Sequence, residues 1–241
     1  MGERAEPCPG VYDQCVADTA GPERALGHAP SLSVLVVDDH TAFADAMALA
    51  IDYQPDLCCV GAVHTGKDAL ERVEAEHPDV LLLDIALPDL SGMEVTARVK
   101  ATTPGTRVLL ITGTTTPEAL ARAAEVGADG FLPKEVPITR VLEAIREPSD
   151  SMFADERTLA LILQRGAQSS PARPGPVLTD REAEVLDLLA DGQAVKAIAR
   201  QLDISLYTCR GYVQQILRKL DVHSQLAAVV KAAGLGLVRR P

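Results

Sequence analysis

The sequence predicts two folded units: an α/β unit built on a five-stranded parallel, doubly wound sheet, and a smaller all-α unit behind it. Two patterns predict this. Between residues 31 and 147, short β-branched apolar runs alternate with helix-length amphipathic segments. Beyond residue 177 the apolar residues recur only at helical spacing, and bases accumulate. A chain of 241 residues, close to half of them apolar, is long enough for two cores. No secretory h-region is present, and no apolar run approaches the roughly 20 residues that span a bilayer, so a cytoplasmic protein with no membrane partner is expected.

Taken in order, residues 1–30 mix Gly, Pro and Ala with scattered charge and are expected to form a disordered extension. Strands are expected at 32–37, 57–63, 80–83, 108–111 and 130–132. Helices should begin near Thr41, Gly66, Ser91, Pro117 and Pro137. Thr116-Pro117-Glu118 is a strong start signal: a capping hydroxyl, proline at the first helical position and an acid in the first turn. Alternating strands and helices imply right-handed βαβ units, and in such sheets ligands sit beyond the carboxyl ends of the strands. Residues 148–176 read as a linker, with a helix over 155–165 followed by the flexible stretch GAQSSPARPGP.

The strand ends carry chemistry. The run SVLVVDDH closes the first strand with Asp38 and Asp39; Asp84 closes the third, Thr112 the fourth, and Lys134 follows the fifth. Three carboxylates gathered without a cation repel one another, and Mg²⁺, a hard ion that prefers carboxylate oxygens, relieves that repulsion. A metal beside a carboxylate, a hydroxyl and an ammonium suits phosphoryl transfer, with Asp84 as the nucleophile. His40 reads as a helix-start residue, and Phe131, taken alone, as core. A phosphatase of the haloacid dehalogenase type also uses an aspartate nucleophile and Mg²⁺, but needs a second Asp two residues beyond it; that position is Ala86.

With these residues, 31–147 resembles the receiver domain of two-component response regulators, a flavodoxin-like fold. The resemblance implies phosphorylation of Asp84 by a sensor histidine kinase, and Mg²⁺ held by Asp38, Asp39, Asp84 and the carbonyl of Ala86. Pro88 and Gly92 follow the acceptor as in that family. It further implies a switch made of Thr112, Lys134 and the aromatic Phe131, in which phosphorylation draws Thr112 toward the phosphoryl group and lets Phe131 turn inward. Tyr is common at that aromatic position, so Phe131 keeps the gate but lacks the hydroxyl contact.

The C-terminal part begins with Thr179 and Glu182 at capping-box spacing, apolar Val185, Leu186 and Leu189, and Gly192 as a stop. A short helix carries Ile198, Ala199 and Leu202. A longer one, capped by Ser205, puts Cys209, Val213, Ile216, Leu217 and Leu220 on one face and Tyr207, Arg210, Gly211 and Gln214 on the other. Two short helices with a tight joint fit a helix-turn-helix whose second helix enters the DNA major groove. Charge agrees: residues 192–241 hold eight bases against two acids, +6, in a chain of net −11.

Residues 178–238 resemble the LuxR-type module of the NarL/FixJ response regulators through LTDREAEVLDLLADG, IARQLDIS, TCRGYVQQILRKLDV and AAVV. The resemblance implies base contacts by Arg210, Gly211 and Gln214, with Tyr207, Lys196 and Lys219 also facing DNA. The last helix would supply a homodimer contact through Leu226, Val229, Val230 and Ala233, for which the alternative is ordinary core packing; a dimer would span two half-sites, with RNA polymerase a candidate partner. Three departures stand out: Cys209 for Val, Tyr212 for His, and Val195 where a capping residue is usual, the last costing roughly 1 kcal/mol. Five cysteines without an export signal do not suggest a disulfide framework; Cys58 and Cys59 read as small buried residues, and Cys8 and Cys15 fall in the extension. The expected protein is a transcription factor, not a turnover enzyme: receiver 31–147, linker 148–176, DNA-binding module 177–241. DNA binding independent of phosphate, and a protein-binding regulator without DNA contact, remain open at this level.

Overall fold

The apolar runs of the N-terminal unit become parallel strands because each is buried on both faces. In the computed structural model, which describes residues 31–148, 153–154, 160 and 176–238, these are β1 (Leu32–Val37), β2 (Leu57–Val63), β3 (Val80–Asp84), β4 (Arg107–Thr112) and β5 (Gly130–Pro133). Helices α1 (Thr41–Asp52), α2 (Gly66–Glu76), α3 (Gly92–Thr102), α4 (Pro117–Glu125) and α5 (Ile138–Arg146) alternate with them. The expected extension with Cys8 and Cys15, the stretch 166–175 and, apart from Ala160, the helix expected over 155–165 lie outside the described residues.

The sheet order is β2-β1-β3-β4-β5-β6, all parallel. The sixth strand, β6 (Phe153–Ala154), pairs with β5 and falls in the segment expected as linker. Two residues carry too little pattern to announce a strand. Along β1 the side chains alternate: Val34 and Val36 pack with α1 and α5, whereas Leu35 and Val37 pack on the face of α2, α3 and α4. Arg107 is buried, and its guanidinium donates to the carbonyls of Ala144, Ile145 and Glu147, pinning the end of α5 to β4.

On the edge strand β2 the two cysteines part company. Cys59 faces the core, where burial pushes its thiol up to about 11. Cys58 corrects the reading of both as buried free residues: it is half-buried on the less covered face and disulfide-bonded.

The all-α unit comprises α6 (Asp180–Ala190), α7 (Val195–Gln201), α8 (Leu206–Leu220) and α9 (Gln225–Gly234). Thr179 and Glu182 form the expected capping box: the Thr179 hydroxyl accepts from the Glu182 N–H, and the Glu182 carboxylate from the Thr179 N–H. The cap of α7 is Ala194, not Val195, which is the first helical residue and is buried. The helix does start without a side-chain cap, one position earlier than the sequence suggested. Helix α9 packs against α4, and the core of the all-α unit is continuous with the α4 face of the sheet.

Lys219 reaches back from α8 to donate to Glu182 Oε2 at 2.6 Å and to the Val177 carbonyl at 3.0 Å. Burial pushes the Glu182 carboxyl up, but hydrogen bonds from Lys219 and the Thr179 N–H outweigh it and hold the group below the ordinary glutamate value. A carboxyl lowered on folding stabilises the fold above its unfolded pKa, and that contribution fades as pH falls through the folded one. Lys219→Met should therefore cost about 1–3 kcal/mol near neutrality, the penalty for a buried carboxylate that loses its charged partner and keeps only the Thr179 N–H. The deficit should shrink below about pH 4.3; thermal melts at stepped pH measure it, and a pH-independent deficit would contradict the pairing.

Candidate acidic site and nucleic-acid interface

Strand order reverses between β1 and β3, the place where an open α/β sheet leaves a crevice at its carboxyl edge. Asp38, immediately after β1, and Asp84, the last residue of β3, meet there, both buried, beside the more exposed Asp39. Lys134 enters from beyond β5, its ammonium 2.7 Å from Asp38 Oδ2 and 2.9 Å from Asp84 Oδ2. Burial pushes the Lys134 pKa down, but its contacts with the two carboxylates prevail and hold it above the ordinary lysine value. The ammonium also lies 5.1 Å from the ring centroid of Phe43 on α1.

One ammonium leaves three carboxylates in negative excess. Ligating atoms of Asp38, Asp39, His40 and Asp84 all lie within 4.8 Å of one another. Asp38 Oδ2 is buried with no hydrogen bond, in ion-pair contact only. An oxygen-rich cluster with unfilled acceptor capacity fits a hard divalent ion. Ala86, two residues past Asp84, is exposed on the turn into α3.

That turn is held tightly. A Cβ at Gly92 would stand 2.3 Å from the Asp84 carbonyl oxygen, so only glycine lets α3 start against the strand end. The Gly92 N–H donates to Ile85 O, Ser91 caps α3, and the Asp89 carboxylate accepts from the Gly66 and Lys67 N–H groups at the start of α2. Those bonds, the Gly66 one foremost, hold the Asp89 carboxyl below the ordinary aspartate value.

Thr112 stands at the end of β4 with its hydroxyl turned to its own loop, accepting from the Thr114 N–H and donating to the Thr114 carbonyl, both at 3.1 Å. Its carbonyl accepts from the Lys134 N–H at 2.7 Å, so backbone joins it to the lysine. Phe131 is wholly buried, already inward.

In the all-α unit, Tyr207, Arg210, Gly211 and Gln214 share the exposed face of α8, and Lys196 is exposed on α7. The Lys219 ammonium is engaged by Glu182 and the Val177 carbonyl. Leu226, Val229 and Ala233 are buried in this chain, and Val230 is half-buried. Arg210 lines a cleft of about 600 Å³ together with Asp79, Gly105, Arg107, Arg146 and Glu147 of the sheet unit. Sequence reasoning missed Phe43, Asp89 and the nearness of His40 to the acids; only the adjacency in DDH hinted at the last.

Residues 34–146 match the family model described as the response regulator receiver domain, and residues 176–232 that of bacterial regulatory proteins of the luxR family. The chain belongs to the LuxR-type two-component response regulators. It is 33% identical to the transcriptional regulatory protein DesR of Bacillus subtilis over 205 residues, 85% of this chain and 98% of that protein. It is 35% identical to the probable transcriptional regulatory protein NarL of Mycobacterium tuberculosis over 199 residues, 83% and 92% of the two chains. The RcsB response regulator of Salmonella typhimurium, 21% identical, shares the fold over 83% of this chain and 98% of its own, with a TM-score of 0.53. The protein is thus a DNA-binding response regulator of a two-component system. No described helix is long and apolar enough to cross a membrane.

Gly92→Ala should displace the Asp84 carbonyl, costing about 1–3 kcal/mol through overpacking. Calorimetry should show the sheet unit melting at least about 4 °C lower, and an unchanged Tm would contradict the close approach.

Proposed function

We propose that Asp84 accepts a phosphoryl group from a phosphohistidine of a sensor kinase, and that the modified protein binds DNA as a homodimer across two half-sites. The supporting observation is the meeting of Asp38, Asp39 and Asp84 at the reversal of the sheet, with Lys134 paired to Asp38 and Asp84. Lys134 engages Asp84 Oδ2, which leaves Oδ1 to attack phosphorus. A P–O bond forms as the P–N bond breaks, and the electron pair leaves with the kinase imidazole. Asp38, Asp39, Asp84 and the Ala86 carbonyl would hold Mg²⁺, which supplies neutralisation of the phosphoryl oxygens. Lys134 steadies those oxygens as charge accumulates, and the new double negative charge competes with Thr114 for the Thr112 hydroxyl.

The same reading covers regulation. Arg210, proposed to read bases, faces a cleft shared with the sheet unit, and the proposed dimer helix α9 lies on α4, which begins just after the Thr112 loop. Release of these contacts on phosphorylation would expose both surfaces. The receiver boundaries 31–147, the linker and the module from 177 belong to this proposal, as do a cytoplasmic setting and contact with RNA polymerase.

A small phosphodonor with Mg²⁺ should place acid-stable, base-labile phosphate on the protein. Asp84→Asn or a chelator should abolish it, and labelling that survives Asp84→Asn would sink the assignment. Recovery of bound genomic DNA should yield a defined site set that shrinks in Asp84→Asn and disappears in Arg210→Ala with Gln214→Ala. Binding should weaken steeply with salt; equal affinity with and without phosphate would favour the phosphate-independent reading.

A further inference from the structure

We infer that Cys58 forms a reversible disulfide with a cysteine of the N-terminal extension, Cys8 or Cys15, and that this bond is a redox-operated tether holding the extension to the amino end of the sheet. The chain has five cysteines. Cys58 is disulfide-bonded, whereas Cys59 and Cys209 are free and buried. Cys59, the next residue along β2, also points to the opposite face of the strand. That leaves Cys8 and Cys15 to supply the second sulfur.

The sheet register puts Cys58 where such a partner arrives. Strand β2 is outermost in the sheet and pairs only with β1, and Cys58 stands beside Ser33, the second residue of β1. The extension runs directly into β1, so it joins the sheet about 4.8 Å, one strand spacing, from Cys58. Cys15 lies 18 positions before Ser33 and Cys8 lies 25 before it. An extended chain covers more than about 3 Å per residue, so either thiol reaches Cys58 without displacing a strand. The acidic site lies at the other end of the six-residue β1, about 20 Å away. The tether is thus separate from the proposed acceptor chemistry.

The bond forms by exchange with a small-molecule disulfide such as oxidised glutathione. One cysteine thiolate attacks a sulfur of the oxidant, the oxidant's S–S bond breaks, and one small thiolate leaves. The second cysteine attacks the mixed disulfide and expels the other. The protein loses two electrons and two protons, and the oxidant is reduced to two thiols. Cys58 is half-buried and open to this attack, unlike the buried Cys59 and Cys209. Linking the extension to β2 restricts the unfolded chain, so the oxidised sheet unit is the more stable form. In the reducing cytoplasmic setting proposed above, such a bond would come and go with oxidant rather than persist.

The test uses the full chain equilibrated with reduced and oxidised glutathione at graded ratios, quenched in acid, unfolded, alkylated and digested without reductant. The expected product is a peptide pair joining Cys58 to Cys8 or Cys15, with Cys59 and Cys209 alkylated, whose share rises with the oxidised fraction and falls again on return to reduced glutathione. The oxidised sheet unit should melt at least about 4 °C above the reduced one, and Cys58→Ser should lose that difference. Cys58 alkylated at every ratio, or joined to Cys59, to Cys209 or to a second copy of the chain, overturns the tether. A link that excess reduced glutathione leaves intact overturns its reversibility, and equal melting temperatures overturn the restraint.

Discussion

The Lys134 ammonium, shared between Asp38 and Asp84, is the contact around which the N-terminal unit is organised at its functional edge. Two buried carboxylates at the ends of adjacent strands would repel each other in a poorly hydrated crevice, and only a paired cation makes that burial tolerable. Lys134 is fixed by its own backbone bond to Thr112 and by the ring of Phe43 beneath its charge. One residue therefore ties together the ends of β1, β3, β4 and β5, the first two through its ammonium and β4 through its backbone. A lysine suits this place because a compact point charge on a flexible stem can serve two carboxylates that lie on different strands.

That arrangement leaves the cluster negative, and the excess is what the proposed metal ion and phosphoryl transfer would draw on. The surroundings restrict how the pocket responds. The turn after Asp84 is locked by the Gly92 contact and by Asp89 on the start of α2. On the other side, the Thr112 hydroxyl is held only within its own loop, and Thr116, four residues on, caps α4. Movement proposed to follow phosphorylation has a ready course there: from the loop into α4, and from α4 to α9 packed on it.

Much of this was legible because the determining signals are local. Apolar runs ending in Asp38, Asp84 and Thr112, the Thr116-Pro117 start and the Thr179/Glu182 box each declare themselves within a few residues. What the sequence hid depends on distant partners. Lys219 looks like any base on a basic helix until Glu182 is seen beneath it, 37 residues away in the chain. Phe43 is one aromatic on an amphipathic helix, and its place under an ammonium follows only from packing. Gly92 resembles any helix-start glycine until the Asp84 carbonyl is seen against it. Strand β6 is too short to carry a period, and the shift of the α7 cap to Ala194 is the usual one-residue uncertainty of a helix end.

Phe131 shows how a family device can change with one atom. A tyrosine at that place carries a hydroxyl that is costly to bury without a partner, which supplies a reason to point outward until switching creates one. Phenylalanine carries no such group, and burying it gains about 1.5–3 kcal/mol. The ring is accordingly buried without exposure. In the proposed switch the Thr112 hydroxyl is the group left to respond, because its present hydrogen bonds lie wholly within its own loop and a charged acceptor would form a stronger one.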